Sequence, residues 1–447
     1  MRLKEINVKK LFGVFDHTIP LNMEDRITII HGLNGYGKTT ILQLVQGAMQ
    51  AQYSRLRKTP FSELTLKFDD GQELRIQKTG TPEPDQGGGK GIKLVCELRN
   101  GGRSVQKDTI DSPDIGLRLG FPSQYISQQI EDLEQITPET WLEVSTGRQL
   151  DLEEVIDIYG DFLPIERRKN IKKSPQWLQT LQKSFEVRLI AAQRLLNVAP
   201  ARRSRTGSAA LPLQPAVQLY SQELATRIQQ VQAQYGAKSQ ELDSSFAGRA
   251  IKGSASAAIE LAELESKLQS LEVKRKGIIE AGLLPADHNV AAIQGAMIED
   301  SVKGILALHA SDVEKKLGVF DEIAAKVELL KELVNRRFSF KKLEVERQTG
   351  FRLVSDSGAT LQPTDLSSGE QHELVLFYEL LFRTKSNALI LIDEPELSLH
   401  IAWQGAFLKD LERIVKLSFL DVVLATHSPQ IIDTRWDLTV ELGAPSS

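Results

Sequence analysis

The chain has 447 residues, of which 41% are hydrophobic and 26% charged, with a formal net charge of −4. This is enough for two or three structural units of ordinary soluble composition, and the acidic balance excludes a protein that coats nucleic acid indiscriminately. A single cysteine, Cys96, excludes an internal disulfide, a CxxC zinc site and Cys-rich redox chemistry. The start of the chain lacks the apolar core of a signal peptide and no apolar run is of membrane-spanning length, so a cytoplasmic protein without a membrane partner is expected.

Lys4–Val8 and Phe15–Leu21 read as short strands leading into Ile27–Ile30, an apolar, β-branched segment suited to a buried strand. Gly32-Leu33-Asn34-Gly35-Tyr36-Gly37-Lys38-Thr39 follows, and from Thr40 apolar residues return at helical spacing. Strand, glycine-rich loop and helix together make a phosphate-binding loop. The glycines let successive N–H groups turn inward at phosphate oxygens, and the helix N-terminus adds positive potential. Asn34, Gly35, Gly37, Lys38, Thr39 and Thr40 are the expected nucleotide contacts. Lys38 would reach the β- and γ-phosphates, and the Thr39 hydroxyl would ligate Mg²⁺.

Beyond the first helix, Glu63–Phe68 and Glu73–Gln77 alternate with period two around Asp70-Gly71, a hairpin pattern. A Thr-, Pro- and Gly-rich loop from Thr79 to Gly91 separates them from a strand at Ile92–Leu98. An antiparallel layer built onto the nucleotide-binding strand and helix is expected. Phe121–Tyr159 reads as mostly helical, with a helix start at Thr137-Pro138-Glu139. Glu166–Lys173 carries a run of basic residues, either a solvated helix face or a nucleic-acid contact. Val187–Ala191 returns to the sheet, and the Arg-containing loop Pro200–Pro215 marks a boundary.

The texture then changes. Val217 to Tyr235, Leu261 to Ile278 and Val313 to Val327 each place apolar residues at three- and four-residue steps among polar ones. These stripes predict helices packed as a coiled-coil or bundle arm, broken near Ser254 and at Leu284-Pro285. The strand pattern resumes at Phe338–Val345 and Phe351–Val354. Ala388–Ile392 and Val422–Ala425 are continuous apolar runs, as strands buried on both faces of a parallel sheet require. A short strand at Leu438–Leu442 closes the pattern.

Asp393 and Glu394 end the first of those runs, where an open parallel sheet binds its ligands. Asp393 is placed to hold Mg²⁺ and Glu394 to polarise a water for attack on the γ-phosphate. Leu366-Ser367-Ser368-Gly369-Glu370 precedes a helix expected to begin near Gln371. Taken alone, it is an N-cap with a capping-box glutamate. Ser367 and the N–H groups around Gly369 would also make an anion site at a helix N-terminus.

These motifs together resemble the ABC-superfamily ATPases of the branch with RecF, SMC and OLD-type proteins. That resemblance implies an α/β ATPase head assembled from the two chain ends, with an inserted helical coiled-coil arm. The expected division is 1–200 and 335–447 for the head halves and 201–334 for the insertion. Gln124–Leu133 resembles the Q-loop, with Gln128 as the metal- and water-sensing glutamine. Ala425–Gln430 resembles the switch segment, with His427 as γ-phosphate sensor. Glu396–His400 resembles the D-loop, with Ile401 where relatives often carry proline. The resemblance further implies that Ser367, Gly369 and Glu370 of one copy close on ATP bound to a second copy, giving a homodimer or larger homo-oligomer.

The spelling of Leu366–Glu370 and Leu391–His400 is similar to ATPase subunits of the PARIS, Septu and retron-associated antiphage systems. It implies a regulatory ATPase controlling a separate effector of nuclease type, under a phage-encoded trigger. The alternative is a DNA repair or chromosome-maintenance ATPase that clamps DNA, for which the basic stretches at Glu166–Lys173 and Arg202–Arg205 speak.

Overall fold

The computed structural model describes residues 1–80, 91–111, 124–137, 140–144, 147–160, 174–190, 196–198, 213–253, 260–285, 300–397 and 399–443. The chain forms two compact units, one from Met1–Ala216 with Val375–Ser447 and the other from Val217–Leu374. The second begins after Ala216 and takes in the strands that follow Phe338.

The first unit begins with β1 (Leu3–Leu11), β2 (Phe15–Pro20), β3 (Ile27–His31), α1 (Lys38–Met49), α2 (Tyr53–Lys58), β4 (Glu63–Phe68), β5 (Gln72–Thr79), β6 (Lys93–Asn100) and β7 (Arg103–Ile110). Six of these strands pair antiparallel in the order β2-β1-β4-β5-β6-β7, the layer the alternating sequence requires. The turn between β4 and β5 places Gly71 at φ +84°, which glycine adopts at no steric cost.

The second sheet joins the two ends of the chain. β11 (Val187–Ile190), β17 (Leu389–Asp393), β18 (Asp421–Ala425), β3 and β19 (Thr439–Glu441) lie in that order. Every neighbouring pair among them is parallel. Ile27–Ile30, Leu389–Ile392 and Asp421–Ala425 are buried throughout, which explains their unbroken apolar character. Ile41, Leu42, Leu44, Val45 and Ala48 of α1 join one hydrophobic cluster with Leu64, Leu66 and Leu74 of the antiparallel layer and Leu389, Leu391 and Val423 of the parallel sheet. Arg2, at the start of β1, forks onto the Asp421 carboxylate at the start of β18, with Nε 2.8 Å from Oδ2.

A smaller cluster corrects the helical expectation for Phe121–Tyr159. Two short helices, α3 (Gln124–Gln129) and α4 (Leu152–Tyr159), flank β8 (Leu133–Thr137), β9 (Thr140–Glu143) and β10 (Arg148–Asp151). Leu150 pairs with Trp141 across the β9–β10 hairpin, and both are buried with Ile126, Ile130 and Val155. Burial that alternates along these strands overrides the helix-favouring Glu and Leu content. α4 starts at a capping box, in which Glu154 N donates to Asp151 Oδ1 at 3.0 Å and Asp151 N to Glu154 Oε2 at 3.2 Å.

The rest of the first unit is α5 (Gln176–Ser184), the paired strands β12 (Leu196–Val198) and β13 (Leu213–Pro215), α11 (Ile401–Ser418) and α12 (Pro429–Ile432). The second unit holds α6 (Ala216–Gly253, almost all of it), α7 (Leu261–Glu280), α8 (Asp300–Gly318) and α9 (Asp321–Arg337). α6, at 38 residues, is about 57 Å long. The Val313–Val327 stripe, expected as one stretch, is divided between α8 and α9 by a turn at Val319-Phe320. Phe320 is buried there against Tyr235, with ring centroids 5.3 Å apart. The anticipated loop at 81–90, Pro138 and Glu139, the basic run 166–173, the arginines at 202, 203 and 205 and the break at Ser254 lie outside the described residues.

β14 (Lys341–Glu346), β15 (Gly350–Ser355) and β16 (Thr360–Leu361) form a separate antiparallel sheet in the second unit. Gly350 has φ +84°, and a Cβ there would sit 1.9 Å from the Ser221 carbonyl oxygen of α6. Gly350→Ala is therefore expected to cost on the order of 3 kcal/mol or more of stability. Denaturant unfolding monitored by far-UV circular dichroism, with Gly358→Ala (no neighbour within 4 Å) as control, checks this.

Candidate functional site

The parallel sheet brings three chain segments to one edge. β3 delivers the glycine-rich loop, β17 delivers Asp393 and Glu394, and β18, paired between them, delivers Thr426 and His427. A cleft of about 280 Å³ opens there. Asn34, Gly35, Gly37, Lys38, Thr39 and Thr40 line it with Glu394 and Phe12.

α1 begins directly on this loop. Gly37 occupies the N-cap position at φ +91° with no side-chain cap, and the first turn carries no acidic residue. The N–H groups of that turn are thus left for an anion. The backbone angle demands glycine, and a Cβ on Gly37 would also displace Leu11, whose Cδ2 would stand 2.4 Å away. The buried Lys38 places Nζ 2.9 Å from the Gly32 carbonyl and 3.3 Å from that of Leu33. Phosphate oxygens would give this ammonium stronger, charge-assisted partners.

The Thr39 hydroxyl donates to Asp393 Oδ1 at 2.9 Å, across 354 residues of sequence. Burial pushes the Asp393 carboxyl up to about 6; the Thr39 hydroxyl works against the rise, and Glu394 and Glu396 add to it. A half-buried hydroxyl–carboxylate pair of hard oxygen donors fits Mg²⁺, which takes one or two protein ligands and completes its shell with phosphate and water. Thr39 and Asp393 are the residues that would hold it, and the ion would neutralise charge developing on the phosphates.

Glu394 lines the cleft from a left-handed backbone conformation, φ +42°, with its N–H bonded to the Ala425 carbonyl at 2.9 Å. A non-glycine residue held there is strained, and such strain concentrates at functional sites. His427 Nδ1 stands 3.9 Å from Glu394 Oε1 and 3.0 Å from Glu396 Oε1.

The remaining expected residues lie elsewhere. Gln128 is exposed on α3 and does not line the cleft. Ser367, Gly369 and Glu370 belong to the second unit, at the start of α10 (Ser368–Phe382). They form the capping box read from the sequence, with Ser367 N and Oγ donating to Glu370 Oε2 at 2.9 and 2.8 Å. Burial works to raise the Glu370 carboxyl, but Lys341, 2.9 Å away, and Ser367 hold it below its usual range. The helix starts at Ser368, three residues before the expected Gln371.

A family model described as "AAA domain" matches residues 7–278. The chain belongs to this AAA-domain family. A second model, described as "AAA domain, putative AbiEii toxin, Type IV TA system", matches residues 281–433. No curated protein matches the sequence. Solved structures similar to this AAA-domain protein include the SmcHead bound to the C-winged helix domain of ScpA, at 10% identity over 97% of this chain and 91% of that one, with a TM-score of 0.34. The SMC head domain from Thermotoga maritima is similar at 9% identity, with the same coverages and a TM-score of 0.32.

Three contributors escaped the sequence reading. Phe12, in the β1–β2 turn at φ +52° and 42% exposed, forms an aromatic wall of the cleft. Its signal was an aromatic beside Gly13 in a turn of a hairpin. Glu396 is the second acidic residue after Asp393, and nothing local marks it as a partner of His427. His17, buried on β2, donates from Nε2 to the Tyr36 carbonyl at 3.0 Å and so props the glycine-rich loop.

Burial holds the His17 imidazole below the usual histidine range, although the Tyr36 carbonyl opposes this. The neutral ring is the form that the fold accommodates. Its contribution is present above the ordinary pKa of about 6.5 and is lost as pH falls through the depressed value. Acidification from about pH 7.5 to about pH 5 should thus lower the thermal midpoint more in the parent protein than in His17→Gln. Scanning fluorimetry across that range checks this, and equal slopes would remove His17 from the account.

Proposed function

We propose that this AAA-domain protein binds and hydrolyses ATP with Mg²⁺ in the cleft above α1. One observation carries the reading: Thr39, which lines the cleft with the glycine-rich loop and Glu394, donates from Oγ1 to Asp393 Oδ1 at 2.9 Å. The loop N–H groups and Lys38 bind the phosphates, and Thr39 with Asp393 holds the metal. Glu394 accepts a proton from the attacking water. Phe12 offers a π face to the base at the mouth of the cleft. Gln128 of α3 and the Ser367–Glu370 segment act when a second copy closes over the nucleotide. Bound γ-phosphate supplies the differential affinity between open and closed states.

In its setting, the protein is a regulatory ATPase of a prokaryotic antiphage system whose homo-oligomer controls a separate effector. Support comes from the resemblance of Leu366–Glu370 and Leu391–His400 to such subunits. The toxin–antitoxin wording attached to the family model over residues 281–433 points the same way. Co-purification with the product of the neighbouring reading frame, with and without ATP, tests the setting. An ATPase that never retains a partner would sink it.

Lys38→Ala is expected to weaken ATP binding about 10- to 100-fold, as the loss of charge-assisted hydrogen bonds requires. Glu394→Gln should retain ATP while its turnover falls at least about 100-fold. Equilibrium nucleotide binding and phosphate release measure the two effects separately. Light scattering with ATP should find a larger species for Glu394→Gln and none for Lys38→Ala. Identical species for both would overturn the two-copy closure.

A further inference from the structure

We propose that Glu396 is the positioning residue of His427, fixing which ring nitrogen faces the nucleotide. Glu396 follows Glu394 by two residues, in the short 3₁₀ turn Pro395–Leu397, and its side chain is only 7% exposed. One carboxylate oxygen, Oε1, accepts two hydrogen bonds from the segment after β18 and lies close to the His427 ring. The Thr426 hydroxyl lies at 2.8 Å, the His427 backbone N–H at 3.0 Å and His427 Nδ1 at 3.0 Å.

A carboxylate accepts and does not donate, so a proton on Nδ1 is the form that this 3.0 Å contact favours. Nε2 is then the ring nitrogen left for a phosphate oxygen. The backbone bond fixes the chain at His427, and the carboxylate 3.0 Å from Nδ1 favours a ring with the proton on that nitrogen. This is the relation by which a carboxylate orients a working imidazole in other sites. The other oxygen, Oε2, is buried with no hydrogen-bond partner among the described residues. Among the described residues, the titratable groups paired with His427 are Glu396 and Glu394, the latter at 3.9 Å.

The inference rests on the cleft being an ATP-hydrolysing site, and the experiment separates the two. In ¹⁵N-histidine-labelled protein, the ring nitrogens of His427 should report Nδ1–H in the parent chain and lose that preference in Glu396→Ala. Turnover in Glu396→Ala should fall about 10- to 100-fold, as for loss of a carboxylate that orients a functional histidine, with ATP affinity nearly unchanged. Glu396→Gln, which keeps an acceptor oxygen at full reach, should recover most of both properties. Glu396→Asp, which withdraws the charge by one methylene, should not. Thr426→Val, which removes one donor without touching the ring, should leave the Nδ1–H signal in place.

Parental ring signals and turnover in Glu396→Ala would overturn the proposal. So would a parallel loss of affinity and turnover with the ring signals unmoved, the mark of a merely structural tie. If the parent chain hydrolyses no ATP but the ring signals still respond to Glu396, the functional reading fails and the positioning stands.

Discussion

The strand order of the parallel sheet is the constraint on which everything else depends. β18 pairs with β3 on one side and β17 on the other, so the loops leaving all three strands emerge at one edge. In register, Ile30 lies beside Ala425 and Ala425 beside Asp393. That alignment brings the Thr39 hydroxyl within hydrogen-bond reach of Asp393. Ligand sites outside the carboxyl ends of parallel strands are a general property of such sheets. A slip of one residue would turn Asp393 to the opposite face and dissolve the site.

Burial holds this register. The strands carry apolar side chains on both faces, and α1 shares one core with the antiparallel layer and the parallel sheet. The helix that presents N–H groups to the cleft is thus fixed by side chains that never touch it. The Arg2 fork on Asp421 joins the starts of β1 and β18, fastening the antiparallel layer to the strand that carries His427. Both ions are largely buried, so loss of either would leave a charge without its counterpart. Stability and function are coupled here by geometry: the sheet that buries the core also places the polar groups.

Much of this was legible in the sequence, for a physical reason. A strand buried on both faces reads as an unbroken apolar run, and the phosphate-binding loop is spelled locally by glycines that only its backbone angles explain. Asp393 and Glu394 were legible because they end such a run. The hairpin at Asp70-Gly71 followed from turn chemistry. What could not be read depended on contacts between distant segments. Trp141 and Leu150 make strands of a stretch rich in helix formers because they bury each other across a hairpin. The turn at Phe320 interrupts a continuous apolar stripe because that ring packs on Tyr235 of another helix. Phe12 in the β1–β2 turn and His17 on β2 serve the cleft and its loop from a hairpin that precedes them in the chain, and Glu396 meets His427 from 31 residues away. Local pattern carries no record of such pairings.

The place of the second unit in the chain has a consequence for how the protein is made. Residues 217–374 separate β11 from β17, its neighbour in the sheet. As synthesis proceeds from the N-terminus, β3 and α1 emerge early but lack β18, against which β3 must pair. The apolar faces of β3, β11 and α1 therefore wait, exposed to solvent or to a chaperone, until the segment beyond Ala388 has left the ribosome. A nascent chain halted before that point would carry an intact glycine-rich loop without Asp393 or Glu394. The glycine-rich loop and the two carboxylates thus come together late, with the closing of a sheet whose first strand is among the first parts translated.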